Sequence, residues 1–277
     1  MFRYGWYLKD KYIYFTAFMV LAHIINPVNA PAGTELARIQ PVTFESIRAA
    51  RDFAAGKVNL ELWAVSYPED QPVIPPIFQN APYLQRAVTD VAKFEKPKKY
   101  PLLADIIKAL YQASNADYLI YTNMDIALMP QFYLAVNGLL QQGHDALLIN
   151  RRGISVYYKG VDELPLMYSD YGVPHPGFDC FVFKRSLAEK FILGNICIGI
   201  PFTEVSLTHN LIAFAQNLKL VDNLHLTFHI GTEVMPPRSS EYYRHNRNQY
   251  EKNIYPQLKP LLKPEKFPYA MLPFYKR

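Results

Sequence analysis

The chain has 277 residues, about 1.8 times a typical domain of roughly 150, so it holds one large domain or a domain with an appendage. Half of it is hydrophobic, 14% is aromatic and 19% is charged, against a usual charged share of about 25%, which excludes disorder, collagen and coiled coil. The net charge of +5 is uneven: from residue 236 to 277 nine Lys/Arg meet three Glu, a net +6, which leaves residues 1–235 at −1 and without the basic stripe that nucleic-acid binding needs.

In chain order, an apolar run over 13–25 follows Arg3, Lys9 and Lys11 and precedes Val28-Asn29-Ala30, the outline of a signal peptide. Thirteen residues are too few to span a bilayer, which takes about 20. Asp10, the internal His23 and the β-branched and aromatic residues favour a buried strand over 15–25, stopped by Asn26-Pro27; the signal-peptide reading stays open beside it. Thr43 as N-cap, Phe44, Ile47, Ala50 and Ala54 at helical spacing, and Gly56 as a stop predict a helix. A strand over 58–67 follows, then a Pro-punctuated connection over 68–101. Leu102, Leu103, Ile106, Ile107, Leu110 and Tyr111 form the stripe of an amphipathic helix, after which 117–122 reads as a short apolar strand ending at Asn123-Met124-Asp125. Pro130 opens a helix that Gly143 closes, and a strand over 146–149 places Arg151 and Arg152 just past its end.

A strand over 175–185 precedes Ser186 and Glu189, spaced as a capping box for another helix. An amphipathic helix over 203–218, a last strand over 225–231, a polar helix over 239–253 and an extended wrap over 256–273 complete the chain. Alternating strands and helices predict a single α/β domain over 1–235, with a mostly parallel central sheet flanked by helices, and a Pro- and Tyr-rich basic tail over 236–277 packed on or near the site. Cys180 and Cys197 are too few for a disulfide framework and lack CxxC spacing, so they read as buried thiols of a reducing compartment, and the expected location is cytoplasmic.

In an open α/β sheet, ligands bind beyond the carboxyl ends of the strands, which selects Asp125, Arg151, Arg152 and His229. A carboxylate and an imidazole at one sheet edge can hold a hard divalent ion, Mg2+ or Mn2+, shared with phosphate oxygens, and arginines meet phosphates bidentately. Each residue has a plainer reading: Asp125 capping a turn, His229 as a hydrogen-bonded core histidine, Arg151-Arg152 as a solvated pair. Walker A, GxGxxG, HExxH, GxSxG and Cys/His zinc patterns are absent from the sequence, so kinase, dehydrogenase, zinc-protease and hydrolase readings lack positive evidence.

The stretch Asn115-Ala-Asp-Tyr-Leu-Ile-Tyr-Thr-Asn-Met-Asp125 resembles GT-A-type nucleotide-sugar glycosyltransferases, marked by a short acidic DxD-like motif after a central strand; in order of elements the resemblance runs from about residue 15 to residue 231. It implies an enzyme that moves a sugar from a UDP- or GDP-linked donor to a glycan or lipid-linked acceptor. Asp125 would bind the Mn2+ or Mg2+ directly, His229 would add a ligand, and Arg151 or Arg152 would assist at the diphosphate. His23 and Asn26, ending the first strand, would meet nucleobase and ribose, and Asp105 would touch the nucleotide. Asn123 stands where the family has the first Asp, uncharged but able to contact ribose or an ion-bound water.

For the base that takes the acceptor proton, Glu204 in Pro201-Phe-Thr-Glu204 and Asp179 in the HPGFDC stretch are the candidates, while Asp179 with His175 would otherwise bind acceptor or donor-sugar hydroxyls. Glu204 also reads as a first-turn helix carboxylate and Asp179 as a structural hydrogen-bonder. For the tail, three readings stand. Arg238, Arg244, His245 and Arg247 close over the donor; Tyr242, Tyr243 and Tyr250 strap it to the domain; or Lys259, Lys263 and Lys266 give peripheral contact with an anionic membrane. Two other classes remain: a non-catalytic nucleotide-sugar-binding protein, which Asn123 fits, and a sugar-phosphate nucleotidyltransferase, whose Gly-rich basic loop NPVNAPAG does not supply.

Overall fold

The computed structural model describes residues 8–9, 12–13, 19–222, 224–231 and 240–266. Among them nine strands form one sheet: β1 (Val20–Ile25), β2 (Asn59–Ala64), β3 (Gln79–Asn80), β4 (Tyr118–Thr122), β5 (Ala127–Leu128), β6 (Ala146–Ile154), β7 (Val173–Lys184), β8 (Leu218–Val221) and β9 (Thr227–Ile230). Around it lie α1 (Glu35–Phe53), α2 (Leu103–Ala113), α3 (Phe132–Gln141), α4 (Leu164–Ser169), α5 (Thr203–Phe214) and α6 (Glu241–Gln249). The order across the sheet is β3-β2-β1-β4-β7-β6-β9-β5. Its ladders are parallel except where β7 runs against both β4 and β6 and where β5 pairs with β9. The long strand β6 takes two parallel neighbours on one edge, β8 along 146–149 and β9 along 151–154.

The core follows from the pleat. Leu21 and Ile25 of β1 face Ile47 of α1 and Phe132 and Tyr133 of α3, whereas Ala22 and Ile24 face Leu103, Ile106 and Leu110 of α2 and Leu207 and Leu211 of α5. Burial on both faces is why β1 reads as continuous apolar sequence rather than as alternation. Beyond the sheet, Tyr250, Ile254, Leu258 and Leu262 of the tail close over Ile196, Phe202, Val205 and Ile212.

Several boundaries differ from the sequence reading. Helix α1 starts at Glu35, capped by the Thr34 hydroxyl that accepts from Ala37 N (3.3 Å), while Thr43 lies fully buried inside it. Pro41 is also internal; the apolar face carrying Ile39, Val42 and Ile47 outweighs its missing N–H. The Ser186 capping box opens no long helix, because only Arg185–Ala188 is helical. Downstream, the Asn210 side chain takes both the N–H (2.6 Å) and the C=O (2.9 Å) of Ile192, groups a continuing helix would use itself. Strand β6 runs to Ile154, so Arg151 and Arg152 lie within it. The first strand is seen from Val20; residues 15–18 of its expected range lie outside the described residues, as does the wrap beyond residue 266. Among the described residues no helix is long and apolar enough to cross a membrane.

Candidate active site

The carboxyl ends of β1, β2 and β4 and the outer halves of β6 and β9 open into a cleft of about 540 Å³, inside the range of roughly 300–1,000 Å³ common for small-ligand sites. Asn26, Asn123, Asp125, Arg151 and His229 all line it. The strand-end logic therefore brought together residues separated by up to 203 positions.

At the cleft's centre of charge, Asp125 Oδ2 lies 3.3 Å from His229 Nε2, while Asp125 Oδ1 is buried without a partner. His229 Nδ1 lies 3.2 Å from the Gly231 carbonyl. With Nδ1 donating there, Nε2 carries the proton that faces Asp125 and, once it is lost, is free to meet a cation, the orientation in which a ligating histidine is held. Burial alone raises the Asp125 carboxyl, but the hydrogen bond and charge of His229, with the charge of Arg151, hold it below its ordinary value. Burial alone lowers His229, and Asp125 reverses that, so the imidazole sits above its ordinary value. The two side chains thus hold a proton between them where a hard cation would compete for it. Adjacent ligands of an ion with bonds of about 2.1 Å stand about 3 Å apart, so the spacing and the orphaned oxygen fit a divalent ion completed by phosphate oxygens and water. Among the described residues no third His, Cys, Asp or Glu joins them.

Arg151, itself buried, reaches Asp179 Oδ2 through Nη1 at 2.8 Å, and His175 Nδ1 stands 3.9 Å from the same oxygen. Asp179 therefore anchors the cation of the cleft wall. The Glu204 carboxylate, in the first turn of α5, accepts from Phe178 N at 2.6 Å and packs on Gly177. Just before it, Phe202 holds a positive φ of 84°, uncommon for a bulky residue, with Tyr243 and Tyr250 against its ring. His175, Asp179 and Glu204 are not among the residues that line the cleft. Asn123 accepts from Tyr121 Oη at 2.8 Å, and Asn26 donates to Val65 O at 2.7 Å, tying the end of β1 to the end of β2.

Three expectations do not survive the geometry. His23 is 1% exposed, with Tyr133 Oη 2.7 Å from Nδ1 and Thr122 Oγ1 2.9 Å from Nε2, and burial pushes its pKa down to about 3; it is a neutral core histidine. Asp105 clamps Arg86 bidentately at 2.8 and 2.9 Å, outside the cleft. Arg152 points to the opposite face from Arg151, donating to the Tyr171 and Gly172 carbonyls under the Tyr171 ring. In the tail, His245 meets Asn195 O at 2.8 Å and Arg247 pairs with Glu251, and neither they nor Arg244 line the cleft; Arg238 lies outside the described residues.

The sequence reading missed Asp70, Tyr67, Lys99 and Tyr100, which line the cleft from the long connection after β2. Asp70 is buried and accepts from Asn29 N at 2.8 Å, and that burial raises its carboxyl. Its position just past β2 was a usable signal, since the strand-end argument applies to β2 as to the other strands. The Lys99 ammonium stands 3.8 Å above the Tyr67 ring and pairs with Glu69.

No protein-family model and no curated protein matches the chain. Among solved structures, Staphylococcus aureus TarS 1-349 in complex with UDP-GlcNAc aligns with a TM-score of 0.50 at 11% identity, over 82% of this chain and 64% of that one. The fold is GT-A, that of nucleotide-sugar glycosyltransferases. The chain spans less than two thirds of the TarS structure it matches. Mannosyltransferase PcManGT from Pyrobaculum calidifontis, in complex with GDP-Man and Mn2+, aligns with a TM-score of 0.48 at 13% identity, over 92% of this chain and 68% of that one. Mycobacterium tuberculosis glucosyl-3-phosphoglycerate synthase aligns with a TM-score of 0.49 at 15% identity, over 87% and 81%. Within the GT-A fold, Asn123-Met124-Asp125 falls at the end of central strand β4.

Proposed function

We propose that this chain is a glycosyltransferase that moves a sugar from a UDP- or GDP-linked donor to an acceptor hydroxyl, with Mn2+ or Mg2+ held by Asp125 and His229. The observation that carries it is the buried, unpartnered Asp125 Oδ1 beside His229, opening into the cleft of a GT-A fold. A divalent ion bound there supplies positive charge to the departing diphosphate.

The chain's own residues do the rest. Arg151, fixed by Asp179, adds a second cation that needs no reorganisation when negative charge develops on the leaving group. Asn26, Tyr67 and Asp70, at the ends of β1 and β2, form the nucleoside end of the cleft. Glu204 is a better base than Asp179, because the Asp179 carboxylate is engaged by a buried guanidinium that stabilises its charged form. Asp179, with His175 beside it, is then left to hold Arg151 from behind the cleft wall. The acceptor is read as a glycan or a lipid-linked acceptor.

Calorimetric titration of UDP and GDP with and without Mn2+ tests the reading. Binding should strengthen with Mn2+, and Asp125→Ala should remove the metal-dependent part; unchanged affinity in that variant would sink the metal assignment. Release of free UDP or GDP from donor sugars separates a transferase from a pure binder, since even acceptor-free hydrolysis requires catalysis.

A further inference from the structure

Among the described residues no cation of the tail lines the cleft, but side chains of the tail reach the two segments that build one wall of it. Lys99, Tyr100, Pro101, Ile198 and Gly199 face the cleft from 94–101 and 197–201. These segments are joined to each other, with Ile198 N donating to Pro101 O at 3.0 Å. Further partners come from α6. Glu241 accepts from Glu95 N at 2.7 Å and Lys96 N at 3.1 Å. Tyr242 Oη donates to Lys96 O at 2.8 Å and accepts from Lys98 N at 2.6 Å. The Tyr242 ring stacks on Phe94 at 4.2 Å and meets Tyr100 edge-on at 5.0 Å. One turn later, Asn246, fully buried, accepts from Cys197 N at 2.9 Å and donates to Cys197 O at 2.8 Å and Pro201 O at 3.1 Å.

We propose that α6 is a positioning element of the donor cleft: Glu241 and Tyr242 hold 94–101 so that Lys99 and Tyr100 face the nucleotide, and Asn246 fixes 197–201 behind them. The proposal rests on reading the cleft as a nucleotide-sugar site. Its physical basis is backbone satisfaction. Four main-chain groups of Glu95, Lys96 and Lys98 find their partners in two side chains of α6, and a connection whose polar groups lose their partners opens locally. Glu241 also sits in the first turn of α6, where the helix dipole favours its charge, so the contact that holds the wall also stabilises the helix end. Lys99 and Tyr100 touch the cleft directly; Glu241, Tyr242 and Asn246 act through them.

The test uses the full chain, with Tyr242→Phe, which keeps the ring contacts and removes the hydroxyl, and Glu241→Gln. Leu258→Ala, in the tail's apolar cluster, is the control for plain loss of stability. Two measurements are made on each: the dissociation constant for UDP or GDP with Mn2+, and amide hydrogen exchange resolved over 94–101. Tyr242→Phe should speed exchange at 95–98 and weaken nucleotide binding by about 3- to 10-fold, the equivalent of one or two hydrogen bonds. Leu258→Ala should lower the melting temperature with the dissociation constant unchanged. Unchanged exchange over 94–101 in Tyr242→Phe would overturn the positioning role whatever happens to the nucleotide. Faster exchange with unaltered affinity would overturn its bearing on the cleft. A wild-type chain that binds neither UDP nor GDP would overturn the donor reading and this role together, an outcome visible before any variant is compared.

Discussion

Gly177 lies where one added carbon would reach Glu204, the proposed base. A Cβ there would stand 2.5 Å from Glu204 Oε1 and 2.8 Å from Oε2, so Gly177→Ala must displace the carboxylate and break its bond to Phe178 N. The expected cost is about 1–3 kcal/mol in urea unfolding, from the exposed Phe178 N–H and the displaced charge. Turnover should fall as far as in Glu204→Gln, by about 10²- to 10⁴-fold, with the donor dissociation constant preserved. Steady-state release of the nucleoside diphosphate reads both, and wild-type turnover in either variant would remove Glu204 from the role of base. Asp179→Asn behaves differently: it takes a carboxylate charge from the buried Arg151, which costs about 3–5 kcal/mol and weakens donor binding as well. How much of this was legible in sequence depended on the residue. Asp125 and His229 were legible because a strand end needs only local pattern to locate. Arg151 and Arg152 were not separable, because their opposite roles come from β9 extending β6 past Ile149 and imposing the two-residue alternation on both. His23 at its strand end resembled a ligand-binding histidine until Tyr133 and Thr122, about a hundred residues away in sequence, closed around it.

At the scale of elements, the tail is part of the domain's core. Ile254 and Leu258 are fully buried against residues of α5 and the segment before it. Leu258→Ala should cost about 2–5 kcal/mol of unfolding free energy, the range for deleting a buried leucine side chain. A value near zero, measured by urea denaturation, would mean that the tail folds apart from the domain. Asn246→Ala should cost at least as much per atom removed, because it takes a hydrogen-bond partner from each of Cys197 N, Cys197 O and Pro201 O. The sequence marked a helix here, and Ser240 caps α6 by accepting from Tyr243 N at 3.1 Å, but the extended wrap expected from residue 256 is instead helical over Tyr255–Leu258, Lys259–Leu261 and Pro264–Lys266. What it could not supply was the partner. Periodicity shows that a helix has a face, and only the folded chain shows that the polar face of α6, through Glu241, Tyr242 and Asn246, grips two loops. The same limit explains the Ser186 box, where local capping was outvoted by Asn210 bonding Ile192, and strand β8, of which Leu218 was read as the end of the helix over 203–218 and the other three residues as no element.

Over the whole molecule, the uneven charge and the buried histidines act at different distances. Of the tail's described cations, Arg247 pairs with Glu251, Lys266 donates to the Ala215 and Gln216 carbonyls, and none lines the cleft. The pH response of the fold belongs instead to His23 and His209, which burial pushes down to about 3 and about 4. Unfolded, both titrate near 6.5, so below that pH the unfolded chain binds protons that the folded chain refuses, and stability falls as the solution is acidified. Each contributes on the order of 2–3 kcal/mol of loss between pH 7.5 and 4.5, levelling off only near its folded value. His229 runs the other way. Its pKa is raised, so its contribution is full below about 6.5 and disappears as pH climbs through the folded value, which blunts the acid loss without cancelling it. Urea midpoints measured every half unit from pH 7.5 to 4.5 should therefore decline, and His209→Gln should flatten the slope between 6.5 and 4.5 by about one proton's worth, about 1.4 kcal/mol per pH unit. A slope identical to wild type in that variant would mean that His209 takes up its proton in the folded chain beside Tyr250, and that the buried pair opens to water more readily than its closed geometry implies.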